Sequence, residues 1–128
     1  MDADEREWMN QLSEKVIGCA FEVSRVLGPG FLEKVYQRAL AYELEIAGLR
    51  SSMEHELCVN YKGIVAGRYL ADLLVEDRLL IELKCVDEIA REHMAQTLNY
   101  LKGTGLSLGL VLNFQRPRLE IKRVVHRF

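Results

Sequence analysis

The chain has 128 residues, 49% hydrophobic and 28% charged, with a formal net charge of −2. This is enough for one domain with one core, too apolar for a disordered chain and too charged for a membrane bundle. A net charge so close to zero also argues against a strong, sequence-blind grip on duplex nucleic acid, because that grip comes from neutralising phosphates.

Asp2, Asp4, Glu5 and Glu7 crowd the start, so no secretion signal is expected. No apolar run approaches the roughly 20 residues of a membrane span. Cys19, Cys58 and Cys85 form no CxxC pair and sit among apolar neighbours. Buried free thiols in a reducing cytoplasm are the expectation.

From Asp2 or Asp4 the apolar positions Met9, Leu12, Val16, Cys19/Ala20, Val23 and Leu27 step by three and four, which predicts a first helix. Gly28-Pro29-Gly30 ends it. A second helix is expected from about Phe31, with Leu32, Val35, Tyr36, Ala39, Leu40, Leu44 and Ala47 as its buried stripe and Gly48 as its stop. Glu33 falls in its first turn, where the backbone dipole favours an anion. Glu54 to Tyr61 reads as a strand and Lys62-Gly63 as a turn into the next strand, which ends near Val75.

The stretch Leu70 to Lys84, LADLLVEDRLLIELK, reads as two strands joined by Glu76-Asp77-Arg78. In the second strand Leu79, Ile81 and Leu83 share one face, and Leu80, Glu82 and Lys84 the other. If Val75 pairs with Leu79, Asp72 lies opposite Glu82, roughly 5 Å away between Cβ atoms. A two-residue turn would instead put Asp72 on the other face. Two carboxylates on a half-covered face either share a proton or hold a cation, most naturally Mg²⁺ with its oxygen ligands. A solvated face or an ion-pair network is the plainer alternative.

Asp87 is expected to cap a third helix running to about Lys102, closed by Gly103 and Gly105. Ile89, Met94, Leu98 and Leu101 pack it, and His93, Gln96 and Tyr100 form a second stripe. Leu106 to Phe114 is apolar enough for a strand covered on both faces, and Leu119 to Val125 is a final strand after Arg116-Pro117. Residues 57–128 hold eleven bases against eight acids, whereas residues 1–56 hold six against eleven. Arg116, Arg118, Lys122 and Arg123 could form a basic stripe for phosphates, or merely keep an edge strand soluble. The order helix, helix, three strands, helix, two strands predicts an α/β fold with a mixed central sheet and helices on both faces.

These residues carry a resemblance. Asp72 followed ten residues on by Glu82-Leu83-Lys84 resembles the D…ExK signature of the PD-(D/E)XK nuclease superfamily. Gly30-Phe31-Leu32-Glu33-Lys34-Val35-Tyr36 is similar to the motif that names the GxxExxY protein family within it. Gln96-Thr97-Leu98-Asn99-Tyr100 resembles the QxxxY element of RecB-type nuclease domains. Ala71 stands where the motif has its proline, and Ser24 where many GxxExxY relatives have a histidine.

The resemblance implies a restriction-endonuclease-like fold and metal-dependent hydrolysis of nucleic acid, with DNA the expected polymer and Mg²⁺ or Mn²⁺ the expected ion. It implies metal binding by Asp72, Glu82, the Leu83 carbonyl and, as an extra ligand, Glu33. Lys84 would orient the attacking water, Gln96 and Tyr100 would position water and phosphate, and His93 would contact phosphate. A homodimer would supply a cutter for the second strand. The rival from another class is a nucleic-acid- or partner-binding module that keeps this fold with little or no catalysis. Removing one carboxylate of the pair is expected to relieve repulsion and raise the melting temperature without metal.

Overall fold

The computed structural model describes Met1–Phe128. Its elements are α1 (Ala3–Leu27), α2 (Glu33–Ile46), β1 (Ser51–Tyr61), β2 (Ile64–Val75), β3 (Leu79–Lys84), α3 (Arg91–Thr104), β4 (Leu108–Asn113) and β5 (Glu120–Val125). The sheet runs β1-β2-β3-β4-β5 in space. β3 and β4 are parallel and the other pairs antiparallel. α3 is the crossover that the parallel pair requires. No helix is long and apolar enough to cross a membrane.

Asp2 starts α1 by accepting the Glu5 N–H on its carboxylate at 2.8 Å, and Met9, Leu12, Val16, Ala20 and Val23 are its buried stripe. It ends at Gly28, whose φ of 67° favours glycine. α2 starts two residues later than the spacing predicts, because Leu32 is still extended (φ −68°, ψ 152°). Leu32 and Val35 therefore lie exposed, and the buried stripe is Tyr36, Gln37, Leu40 and Leu44.

Tyr36 is the reason for the late start. Its hydroxyl donates to the Gly28 carbonyl at 2.6 Å and accepts the Phe31 N–H at 3.2 Å, while its ring stacks on Phe114 at 4.7 Å between centroids. The loop is thus clamped onto the first buried turn of α2, and Leu32 is turned outward. Tyr36→Phe keeps the stack and orphans both backbone groups. The expected cost is about 1–3 kcal/mol, read as a lower urea midpoint with an unchanged slope.

The two faces of the sheet have separate cores. α1 and α2 cover the face of Leu73, Val75, Leu79, Ile81, Leu83, Leu108, Leu110 and Leu112. α3 covers the face of Ala71, Leu80, Val111 and Val124, with Tyr69 and Tyr100 at its margin. All six residues of β4 are buried, as its unbroken apolar run predicts. The three thiols are free but only half-buried.

α3 begins at Arg91 rather than at Asp87, because residues 86–89 are held by β4 and β5 instead. The Asn113 side chain accepts the Val86 N–H at 3.1 Å and donates to the Val86 carbonyl at 2.8 Å. The Ile89 N–H reaches the Glu120 carboxylate at 3.0 Å. Gly103 is inside α3, where the Val59 side chain packs against it; Gly105, with φ 78°, makes the stop.

Candidate active site

β2 and β3 pair as Val75↔Leu79, Leu74↔Leu80 and Leu73↔Ile81, and the ladder stops there. The three-residue turn is the one that sets Asp72 opposite Glu82. Where the next backbone bonds would form, the Asp72 carboxylate instead accepts the Leu83 N–H at 2.7 Å. Its other partner is the Glu82 carboxyl, which lies within hydrogen-bonding reach.

A kink in the edge strand makes room for this. Met53↔Leu73 and His55↔Ala71 bracket Glu54, which faces Asp72 with a φ of 51°. On one side of the kink Leu73 and Val75 enter the α1/α2 core; on the other, Ala71 and Tyr69 enter the α3 side. Asp72 sits at the change of parity. Gln37, buried on α2, pins the kink by donating to the Asp72 carbonyl at 2.8 Å.

Glu33 opens α2 at the mouth of a cavity of about 290 Å³, shared with Lys34, Gln37, Glu54, Asp72 and Leu83. Glu82, on β3 and outside the lining of that cavity, is 9% exposed and accepts the Tyr69 hydroxyl at 2.8 Å. The Tyr69 ring stacks on Tyr100 at 3.4 Å, which places the α3 tyrosine beside the acids.

Burial, then the charge of Asp72, pushes the Glu82 carboxyl up to about 8, against the Tyr69 hydroxyl and Lys84, which pull it down. Burial also raises Asp72, with the Leu83 N–H and Lys84 opposing and Glu54 adding to the rise. Glu33 is raised by burial and by Asp72, and eased by Lys84. Lys84 is half-buried on β3 and belongs to none of the salt bridges in the protein. Its charge nevertheless favours the ionised form of Glu33, Asp72 and Glu82.

No three His, Cys, Asp or Glu side chains converge in metal-ligating geometry. The donor set nevertheless suits a small hard cation: Mg²⁺ is commonly held by one or two carboxylates, with water and substrate phosphate completing its shell. Asp72 and Glu82 are such a pair, desolvated and mutually repelling, and a cation would neutralise both.

The remaining sequence candidates are more scattered. Gln96 is exposed on α3, one turn before Tyr100. His93 uses Nδ1 to accept the Ala90 N–H at 2.9 Å, so it caps its own helix. Arg116 and Arg118 are exposed in the β4–β5 loop. Lys122 and Arg123 are neighbours on one strand and so face opposite ways. Arg123 is drawn to α1, donating to the Asn10 side chain at 2.7 Å and lying 4.8 Å from the centre of the Phe128 ring. These four residues therefore do not form one stripe.

Glu54, Gln37 and Tyr69 enter the site without having been read from the sequence. Gln37 is one turn after Glu33, a usable signal; the other two depend on the kink, which strand periodicity does not reveal.

A family model described as the PD-(D/E)XK nuclease superfamily matches residues 10–124. A comparison with curated proteins finds no match. Among solved structures, that of SSO0001 is similar at 17% identity and a TM-score of 0.54, over 95% of this chain and 61% of that one. An alkaline exonuclease (LHK-Exo) from Laribacter hongkongensis is similar at 15% identity and a TM-score of 0.50, over 84% of this chain and 76% of that one. At these identities the likeness is one of fold, and this chain spans about three-fifths of the length of the first.

Proposed function

Because this chain belongs to the PD-(D/E)XK nuclease superfamily, we propose that it hydrolyses phosphodiester bonds of nucleic acid, DNA foremost, with Mg²⁺ or Mn²⁺. Within the superfamily we place it in the GxxExxY family, on the run Gly30 to Tyr36. The observation that carries the activity is the meeting of Asp72 and Glu82, both pushed towards protonation, beside a lysine that no acid bridges.

Asp72 and Glu82 would hold the ion, with the Leu83 carbonyl and Glu33 as further oxygen donors. When bound, such an ion polarises a phosphate and acidifies water. Lys84 holds the attacking water in line and offsets charge that grows on the phosphate oxygens. Tyr100, braced by Tyr69, presents its hydroxyl to the phosphate or to water, and Gln96 does the same from the helix surface. His93 has Nε2 left for phosphate once Nδ1 has capped the helix.

The test is a panel of labelled DNA and RNA, single and double stranded, incubated with Mg²⁺, Mn²⁺ or EDTA. Shortened products are expected with either ion and not with EDTA. Intact polymers throughout, from protein shown to be folded, would overturn the nuclease reading in favour of a binding module.

A further inference from the structure

Three hollows follow one another along the outer side of α2. The first, about 290 Å³, holds Glu33, Glu54 and Asp72. The second, also about 290 Å³, shares Lys34, Gln37 and Glu54 with it and adds Arg38 and Met53. The third, about 560 Å³, shares Arg38 and Met53 and adds Tyr42 and Arg50. Shared walls make them one groove between α2 and β1, which is the outermost strand of the sheet. From Glu33 to Glu45 the helix wall rises about 18 Å, at roughly 1.5 Å per residue.

Chemistry changes along this path. The head is acidic and calls for a cation. The middle is basic on balance: Lys34 and Arg38 are exposed against Glu54 alone, and neither takes part in any of the protein's salt bridges. Beyond them Tyr42 is 63% exposed. Residues 34, 38 and 42 are four apart and so lie in one row on the helix. At the far end Arg50 is engaged by Glu76 and Asp77, and Glu45 adds a negative wall. Two free cations followed by an open aromatic ring are the elements with which proteins hold a single strand: charges on the backbone and a π-face for a base. One row of charge fits one strand; the two backbones of a duplex lie roughly 12 Å apart across the major groove.

We propose that one strand of the nucleic acid runs along this groove away from the cleavage site, its phosphates passing Lys34 and Arg38 and a base stacking on Tyr42. This rests on the nuclease reading. It moves the substrate-binding surface from the C-terminal arginines to α2.

The experiment measures anisotropy of a labelled single strand of about twelve nucleotides in EDTA, and cleavage kinetics of the same strand with Mg²⁺. The double variant Lys34→Gln/Arg38→Gln should weaken binding at least tenfold. It should also flatten the salt dependence of log affinity by about 1.4, two contacts at roughly 0.7 each. Tyr42→Ala should weaken binding about fivefold to a hundredfold at an unchanged salt slope. In cleavage, KM should rise while kcat stays within a few fold. All three side chains are exposed, and melting curves verify that the variants fold.

Wild-type affinity and KM in the double variant, with wild-type cleavage intact, would overturn the groove alone. So would a loss carried by Arg116→Gln/Arg118→Gln in its place. A wild-type protein that neither binds nor cuts this strand overturns the groove, and the nuclease reading falls with it only if the whole DNA and RNA panel also stays intact.

Discussion

Glu82→Gln is expected to lower Mg²⁺-dependent cleavage by about 10³-fold or more, while the metal-free protein at neutral pH melts higher than wild type. The loss follows from taking one charged oxygen donor out of a two-carboxylate site. Lewis-acid stabilisation is worth several kcal/mol, and each 1.36 kcal/mol is about a factor of ten in rate. The gain follows from geometry. The amide keeps the oxygen that accepts the Tyr69 hydroxyl, and its NH₂ can donate to Asp72, whose carboxyl is within reach. The wild-type carboxyl, lifted to about 8, has to bind a proton to make that bond at neutral pH, whereas the amide makes it without one. Calorimetry with Mg²⁺ should show the weakened site directly, without relying on turnover. Cleavage at the wild-type rate in this variant would remove Glu82 from the chemistry.

Asp72 does not behave in the same way. Its carboxylate takes the Leu83 N–H at 2.7 Å where the ladder has ended. Asp72→Ala therefore leaves a buried donor unpaired, at a cost of about 1–3 kcal/mol that works against the relief of repulsion. The two acids look interchangeable along the chain; the hydrogen bond to Leu83 separates them. Activity should fall in both variants and the metal-free melting temperature should rise only in Glu82→Gln.

The second large effect is on the pH dependence of stability without metal. Folding lifts the Glu82 carboxyl from its ordinary value of 4.5 to about 8, so between those values the folded protein binds more protons than the unfolded chain. Stability must then fall as pH rises. The contribution is complete below about 4.5 and gone above about 8, and over that window it is on the order of a few kcal/mol. Glu33 and Asp72 are raised as well and act in the same direction. Urea midpoints in EDTA should decline from pH 5.5 to 8, and Glu82→Gln should flatten that slope. Saturating Mg²⁺ should offset the decline, since an ion held by carboxylates favours their charged form. A metal-free midpoint that rises with pH would show that the acids are solvated and the site is not closed.

How far the sequence reaches is visible in particular residues. Periodicity of two in β3 narrows the hairpin to two registers, and the Val75↔Leu79 pairing selects the one with Asp72 opposite Glu82. The stripe of α1, the buried β4 and the element order follow from the same local rules. α3 starts later than Asp87 because Asn113 and Glu120, both more than twenty residues away, take up the backbone of 86–89. Leu32 lies outside the core because the Tyr36 hydroxyl, not apolar spacing, decides where the loop stops.

By itself, then, the chain determined which acids and which lysine share a hairpin, since neighbours in sequence on regular strands have few alternatives. The tertiary structure alone decided what surrounds them. The meeting of the Glu54 kink with Asp72, the Gln37 and Tyr69 bonds, the bond from Arg123 to Asn10 and the groove beside α2 each join segments apart in sequence. Such contacts depend on how layers pack, and packing leaves no period in a sequence to read.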